Sequence, residues 1–145
     1  MFQNTKSALN PRMTVFQSLE EPLLHYSNLD RRQRRDEVHA YAARVGLPMD
    51  KLPARPNQLS GGQYQRACIA RALIAKPQLL VCDEIVSNLD MIHQVKIITL
   101  LKQLKSEAGI SLLFITHDLR VVRELCDEVL VMVNGSIKEK EVLQQ

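Results

Sequence analysis

Apolar and polar positions follow two different rhythms along the chain. Across residues 14–75 the spacing is helical and rich in long polar side chains, punctuated in and around that span by Pro11, Pro22, Pro48, Pro53, Pro56 and Pro77, with no strand-like alternation. A helix is predicted over residues 30–45, with Asn28 or Asp30 as its N-cap and Gly46 as its stop. The next begins at Ser60 and runs through Ala67, Cys68, Ala70, Ala72 and Leu73 until Pro77 forbids continuation. Beyond it the elements alternate. Leu79, Leu80, Val81 and Cys82 form a short apolar run closed by Asp83 and Glu84, as expected of a buried strand in a parallel sheet. Residues 91–107 place Ile92, Val95, Ile98, Leu101 and Leu104 on the stripe of an amphipathic helix that Gly109 stops. Residues 111–115 read as a second buried strand, residues 118–126 as a helix and residues 128–133 as a third strand. Asn134 and Gly135 then fold residues 136–140 back as a hairpin. Strand, helix, strand, helix, strand predicts an α/β fold with a parallel sheet layer.

Composition narrows this. With 145 residues, 46% of them hydrophobic and 24% charged, the chain suffices for one ordinary domain and hardly for two. A mean hydropathy of −0.14 argues against both a disordered tail and a membrane span. The longest apolar runs are a few residues, far below the ~20 that a spanning helix needs, and no leader pattern stands at the N-terminus. The expectation is a cytoplasmic protein that touches a membrane only through a partner. The net charge of +3 is mild, and much of it is Arg31, Arg32, Arg34 and Arg35, between Asp30 and the pair Asp36 and Glu37. That run reads as a solvated helix face with neighbouring ion pairs rather than a polyanion site. Cys68, Cys82 and Cys126 have no Cys-x-x-Cys spacing and read as small core residues in a reducing compartment.

Leu59-Ser60-Gly61-Gly62-Gln63 is the most informative stretch. It sets a hydroxyl and two glycines at the first turn of a helix, where unpaired backbone N–H groups can meet a phosphate without side-chain obstruction. An ordinary serine N-cap would explain Ser60 alone. Asp83 and Glu84 close a strand, where they could serve a magnesium ion and an attacking water, although such a pair is more often simple loop entry. Ser87-Asn88-Leu89-Asp90 follows them, and Thr116-His117-Asp118 closes the next strand. Upstream stand Phe2-Gln3 and the run Ser7-Ala8-Leu9-Asn10-Pro11-Arg12.

Taken in order, with Arg66 and Arg71 on the helix after Gly62, these motifs resemble the signature motif, Walker B strand, D-loop, switch histidine and Q-loop of ABC-type ATPases. The run after Gln3 resembles in particular the ATPases of the oligopeptide, dipeptide and nickel importers, and the stretch from Glu84 to Asp90 leans towards the nickel branch. Ile85 stands where many relatives have Pro, and Asn88 where many have Ala. The resemblance covers the chain from Phe2 to about Glu139 and implies a partial P-loop NTPase. Residues 1–76 would be the Q-loop and helical subdomain, and residues 77–145 the C-terminal part of the ATPase core. Gly46, Gly61, Gly62, Gly109 and Gly135 offer no Gly-x-x-x-x-Gly-Lys-Ser/Thr spacing, so the Walker A phosphate cradle is absent, and with it the strand-rich region that precedes the Q-loop in relatives.

By the same resemblance, Ser60, Gly61 and Gly62 would complete the ATP site of a second ABC subunit, the same or different in sequence, with Gln63 supporting the turn. Asp83 would hold Mg2+ through water, Glu84 and His117 would be catalytic, Gln3 would sense the γ-phosphate near the metal, and Ser87 and Asp90 would belong to the D-loop. The implied partners are that second subunit, membrane permease subunits and, indirectly, a solute-binding protein, with no nucleic acid. The implied place is the cytoplasmic face of the membrane. Three functions follow: the ATPase of a peptide or nickel importer, a non-hydrolytic chain lending its signature to a partner, or a DNA-maintenance ATPase, which the lack of coiled-coil heptads disfavours. Without the cradle the isolated chain is expected to be inactive. Without the strand that in the family lies beside residues 112–115, it is also expected to be marginal and sticky.

Overall fold

The computed structural model describes residues 8–87 and 89–143, so Gln3 and Asn88 lie outside the described residues. Helices α1 (Val15–Tyr26), α2 (Arg31–Arg44) and α3 (Gly61–Leu73) come first, followed by β1 (Leu79–Asp83), α4 (Met91–Ala108), β2 (Ser111–Ile115), α5 (Leu119–Leu125), β3 (Glu128–Val133) and β4 (Ser136–Val142).

The first three helices begin alike. Thr14, Asp30 and Ser60 each accept a hydrogen bond from the backbone N–H three residues on, and Gln17, Gln33 and Gln63 return one to the cap. This reciprocal box satisfies two otherwise orphaned donors and fixes where each helix starts. Their shared core is Val15, Leu19 and Leu23 of α1, Val38 and Ala42 of α2, and Ala67, Ala70 and Leu73 of α3. The alanines let the helix axes approach closely. Ion pairs stitch the rims: Arg34 to Glu20 at 3.0 Å, Arg71 to Glu21 at 2.7 Å and Lys76 to Glu37 at 3.2 Å.

β1 and β2 pair in parallel, from Leu79 opposite Ser111 to Asp83 opposite Ile115. Leu80 and Cys82 point into a core shared with Ile97, Leu100, Leu101 and Leu104 of α4 and Val121 and Leu125 of α5. Leu79, Leu113 and Ile115 are half exposed.

Several expectations change. α3 ends at Leu73, before Pro77 can act, and Lys76 makes the exit in a left-handed conformation. On α4 the buried stripe is Ile97, Leu100, Leu101 and Leu104, whereas Ile92 is 68% and Val95 58% exposed. Successive steps of three precess around a helix, so the run Ile92, Val95, Ile98 drifts off the face that Ile97, Leu101 and Leu104 keep. β3 adds no third strand to the parallel sheet. It pairs antiparallel with β4 alone among the described residues, because Asn134 and Gly135, at φ 49° and 76°, close a tight local turn. β4 also reaches Val142 rather than Lys140. The arginine run pairs across helices rather than along its own: Arg34 reaches Glu20, and Arg31, Arg32 and Arg35 make no ion pair among the described residues. Cys82 is buried, while Cys68 and Cys126 are half-buried. Burial pushes the Cys68 and Cys82 thiols up to about 12, which leaves both inert as nucleophiles at neutral pH.

α5 is short and depends on its cap. Asp118 accepts from the Arg120 amide at 2.9 Å and from its guanidinium at 3.1 and 2.7 Å. Those side-chain bonds hold its carboxyl down at about 2.

Two outcomes follow from these contacts. Leu101→Ala lowers unfolding free energy by about 2–5 kcal/mol in urea titrations, while Ile92→Ala stays within about 0.5 kcal/mol; equal costs would overturn the observed stripe. The cap of α5 is fully present above the ordinary aspartate value of 3.8 and is lost as pH falls towards about 2. Carboxyl NMR titration of Arg120→Ala should move the Asp118 midpoint back up, and an unmoved midpoint would refute the attribution to Arg120.

Candidate functional site

The turn into α3 is the first part of the site. Ser60 is extended, its Oγ accepts from the Gln63 amide at 3.3 Å, and Gln63 Oε1 accepts from the Ser60 amide at 3.0 Å. Ser60 therefore is an N-cap, and the hydroxyl proton remains available to a ligand. The Gly61 and Gly62 amides make no hydrogen bond among the described residues. With Ser60 and Gly61 exposed, the positive end of the helix opens on solvent, as anion recognition requires.

Gly62 is a glycine for a further reason. A Cβ there would lie 2.6 Å from His93 Cδ2, and one at Gly61 would lie 3.6 Å from Leu89 Cδ2. His93 is on the first turn of α4, its Nδ1 2.6 Å from Asp90 Oδ2, and its amide donates to Asp90 Oδ1 at 3.0 Å. The His93 amide and then its ring hold the Asp90 carboxyl below its ordinary value. The starts of α3 and α4 thus meet, with Asp90 capping α4. Sequence reasoning missed His93, since no motif marks it; a histidine three residues after an N-cap aspartate was the available signal.

The second part lies where β1 and β2 end. The Glu84 amide donates to Ile115 O at 2.9 Å and extends the parallel ladder by one rung. Glu84 itself has φ 47°, a conformation that costs a non-glycine residue roughly 1 kcal/mol or more. His117 Nδ1 lies 3.0 Å from Glu84 Oε1, with the histidine 79% and the glutamate 43% exposed. Asp83 is half-buried, and its side chain makes no hydrogen bond or ion pair among the described residues. No group of three metal-ligating side chains occurs among those residues. One open carboxylate with an acidic neighbour fits Mg2+, which is held through waters and phosphates rather than in a protein cage.

The segment after Glu84 is clamped. Ser87 Oγ donates to Glu84 O at 2.8 Å, and Gln94 Nε2 donates to Val86 O at 3.1 Å and Leu89 O at 3.0 Å. Gln94 is a second residue that the sequence did not single out. Arg66 and Arg71 take no part in the site: Arg66 donates to Val45 O and Arg71 pairs with Glu21, so both secure the helical lobe. Gln3 falls outside the described residues. No helix among those residues is long and apolar enough to cross a membrane.

The chain is similar to known proteins. The chain is 47% identical to the nickel import ATP-binding protein NikE of Escherichia coli K12 over 143 residues, which is 99% of this chain and 53% of that protein. It is 46% identical to the NikE of Shigella boydii serotype 4 over the same coverage. The chain thus spans about half the length of these relatives. Among solved structures it superposes on the dimeric ATP-binding cassette MJ0796, bound to ADP and Pi, with a TM-score of 0.85 and 32% identity, covering 99% of this chain and 62% of that one. It also superposes on cbiO1 of Clostridium perfringens, part of the ABC transporter complex cbiONQ, with a TM-score of 0.84 and 29% identity, covering 96% and 54%. The family model described as ABC transporter matches residues 1–87, and on that match, with the shared fold behind it, the chain belongs to the ABC transporter ATP-binding family.

Proposed function

We propose that the chain carries the signature half and the catalytic carboxylate of an ATPase that drives import across a membrane. The observation that carries this reading is the junction of β1 and β2, where unpaired Asp83, strained Glu84 and His117 gather at two adjacent strand ends. Glu84 orients the attacking water and accepts its proton, and His117 fixes the carboxylate while offering its other ring nitrogen to the transferred phosphate. Asp83 would hold Mg2+ through water, and the ion would supply charge neutralisation there. Ser60 and the Gly61 and Gly62 amides face a nucleotide held by a second subunit, and Ser87 and Asp90 shape the D-loop between the two sites.

The partners in this reading are a second ABC ATPase subunit and permease subunits, with the solute-binding protein reached only through them. The working place is then the cytoplasmic side of the membrane. The transported solute is nickel rather than peptide, which the relatives' names and the stretch from Glu84 to Asp90 support. In this reading residues 1–76, the Q-loop and helical subdomain, serve the membrane partner, and residues 77–145 carry the catalytic half.

Adding the 145-residue chain to a complete homologous cassette should tighten that cassette's ATP affinity about fivefold, the effect of ~1 kcal/mol from a helix N-terminus. Gly61→Asp should remove the gain, and an unchanged partner affinity would sink the signature role. Joined to the N-terminal part of the E. coli relative, the chain should hydrolyse ATP. Glu84→Gln in that fusion should then lower turnover by roughly 10²–10⁴-fold with nucleotide affinity retained. Turnover equal to the unsubstituted fusion would exclude Glu84 as the base.

A further inference from the structure

Between the helical lobe and the strand ends lies a cleft of about 540 Å³, with Pro56, Leu59 and Gln65 on one wall and Glu84, Ile85 and Leu89 on the other. That volume is in the range of sites for small ligands. Gln65 sets it apart. The residue is only 5% exposed, yet its carboxamide makes no hydrogen bond among the described residues. Every fully enclosed side-chain nitrogen or oxygen of those residues has a partner, so the small remaining exposure of the Gln65 amide opens into the cleft that it lines. Five other glutamine carboxamides are used: Gln17, Gln33, Gln58 and Gln63 accept capping bonds, and Gln94 clamps the turn after Glu84. A buried amide left unpaired costs stability, and such a cost is retained where a ligand supplies the missing partner.

We propose that this cleft binds an extended aliphatic residue by its own backbone. The Gln65 carboxamide donates to that residue's C=O and accepts from its N–H, which point the same way in an extended residue although the two groups of one trans peptide bond point apart. The aliphatic chain lies against Leu59, Ile85 and Leu89. Glu84 at the far wall offers an acceptor to a donor group of the ligand. The ligand is either a short free peptide, whose α-ammonium reaches Glu84, or an internal segment of a longer polypeptide. The proposal needs only the geometry of the cleft and stands whether or not the ATPase reading does.

The test is an NMR titration of the isotopically labelled chain with N-acetyl-leucine N-methylamide, with the dipeptide Leu-Leu, and with a longer peptide carrying Leu-Leu internally. The side-chain amide resonances of Gln65 should shift saturably with the capped probe. Gln65→Met should weaken binding about tenfold or more, as expected for losing one buried pair of hydrogen bonds, and should raise Tm because the unpaired amide is gone. Ile85→Trp, which fills the cleft from the opposite wall, should give the same loss with Gln65 intact. Tighter binding of the free dipeptide, weakened by Glu84→Gln, identifies a free peptide as the ligand; equal binding of the capped probe and the longer peptide identifies an internal segment. No saturable shift with any of the three, undiminished binding in Gln65→Met, or acetamide binding as well as the capped probe would overturn the proposal.

Discussion

The parallel pairing of β1 with β2 is the constraint on which the cluster of Asp83, Glu84 and His117 depends. Its register sets Asp83 opposite Ile115, and one further backbone bond, from the Glu84 amide to Ile115 O, carries the pairing past the strand end. That bond holds Glu84 in a left-handed conformation that an unconstrained glutamate would leave. It also delivers the carboxylate to His117, two residues beyond the end of β2. Parallel strands need a crossover, and α4 provides it while burying Leu80 and Cys82 from one side. The same crossover starts at Asp90, so the helix that closes the sheet also reaches the turn of α3.

Two lobes therefore communicate through helix starts rather than through a shared sheet. α3 is held in the first lobe by buried alanines and by Arg66 and Arg71, and its N-terminus projects out of that lobe to meet Leu89 and His93. The turn that opens α3 is consequently set by packing from behind. Its own hydrogen bonds, exchanged between Ser60 and Gln63, fix only the direction of the first N–H groups.

Much of this was legible in the residues. Asp30 caps as one of the two candidates its position offered, the helices after Ser60 and Asp118 start within a residue of where the pattern set them, and Asn134 with Gly135 made the hairpin unmistakable. That Asp83, Glu84 and His117 stand at strand ends was legible because each follows an apolar run whose length fixes where the strand must stop. What could not be read was which face of α4 turns inward, since Ile92 and Val95 are as apolar as Ile97 and Leu101 and only the sheet decides between them. The isolation of β3 from the parallel sheet was equally hidden, because a strand's apolar run does not name its neighbour. His93 escaped notice for a related reason: it meets Gly62, which is distant in the sequence.

The contact between Gly62 and His93 makes the two positions a single unit of change. A side chain at position 62 has no room while the imidazole stands 2.6 Å from where its Cβ would be, and a smaller residue at position 93 would release both that space and the partner of Asp90. Drift at the start of α4 is thus harmless only in one order, with position 93 shrinking first and position 62 free to follow. The glycine of the α3 turn is guarded from behind by a histidine that no sequence signature records.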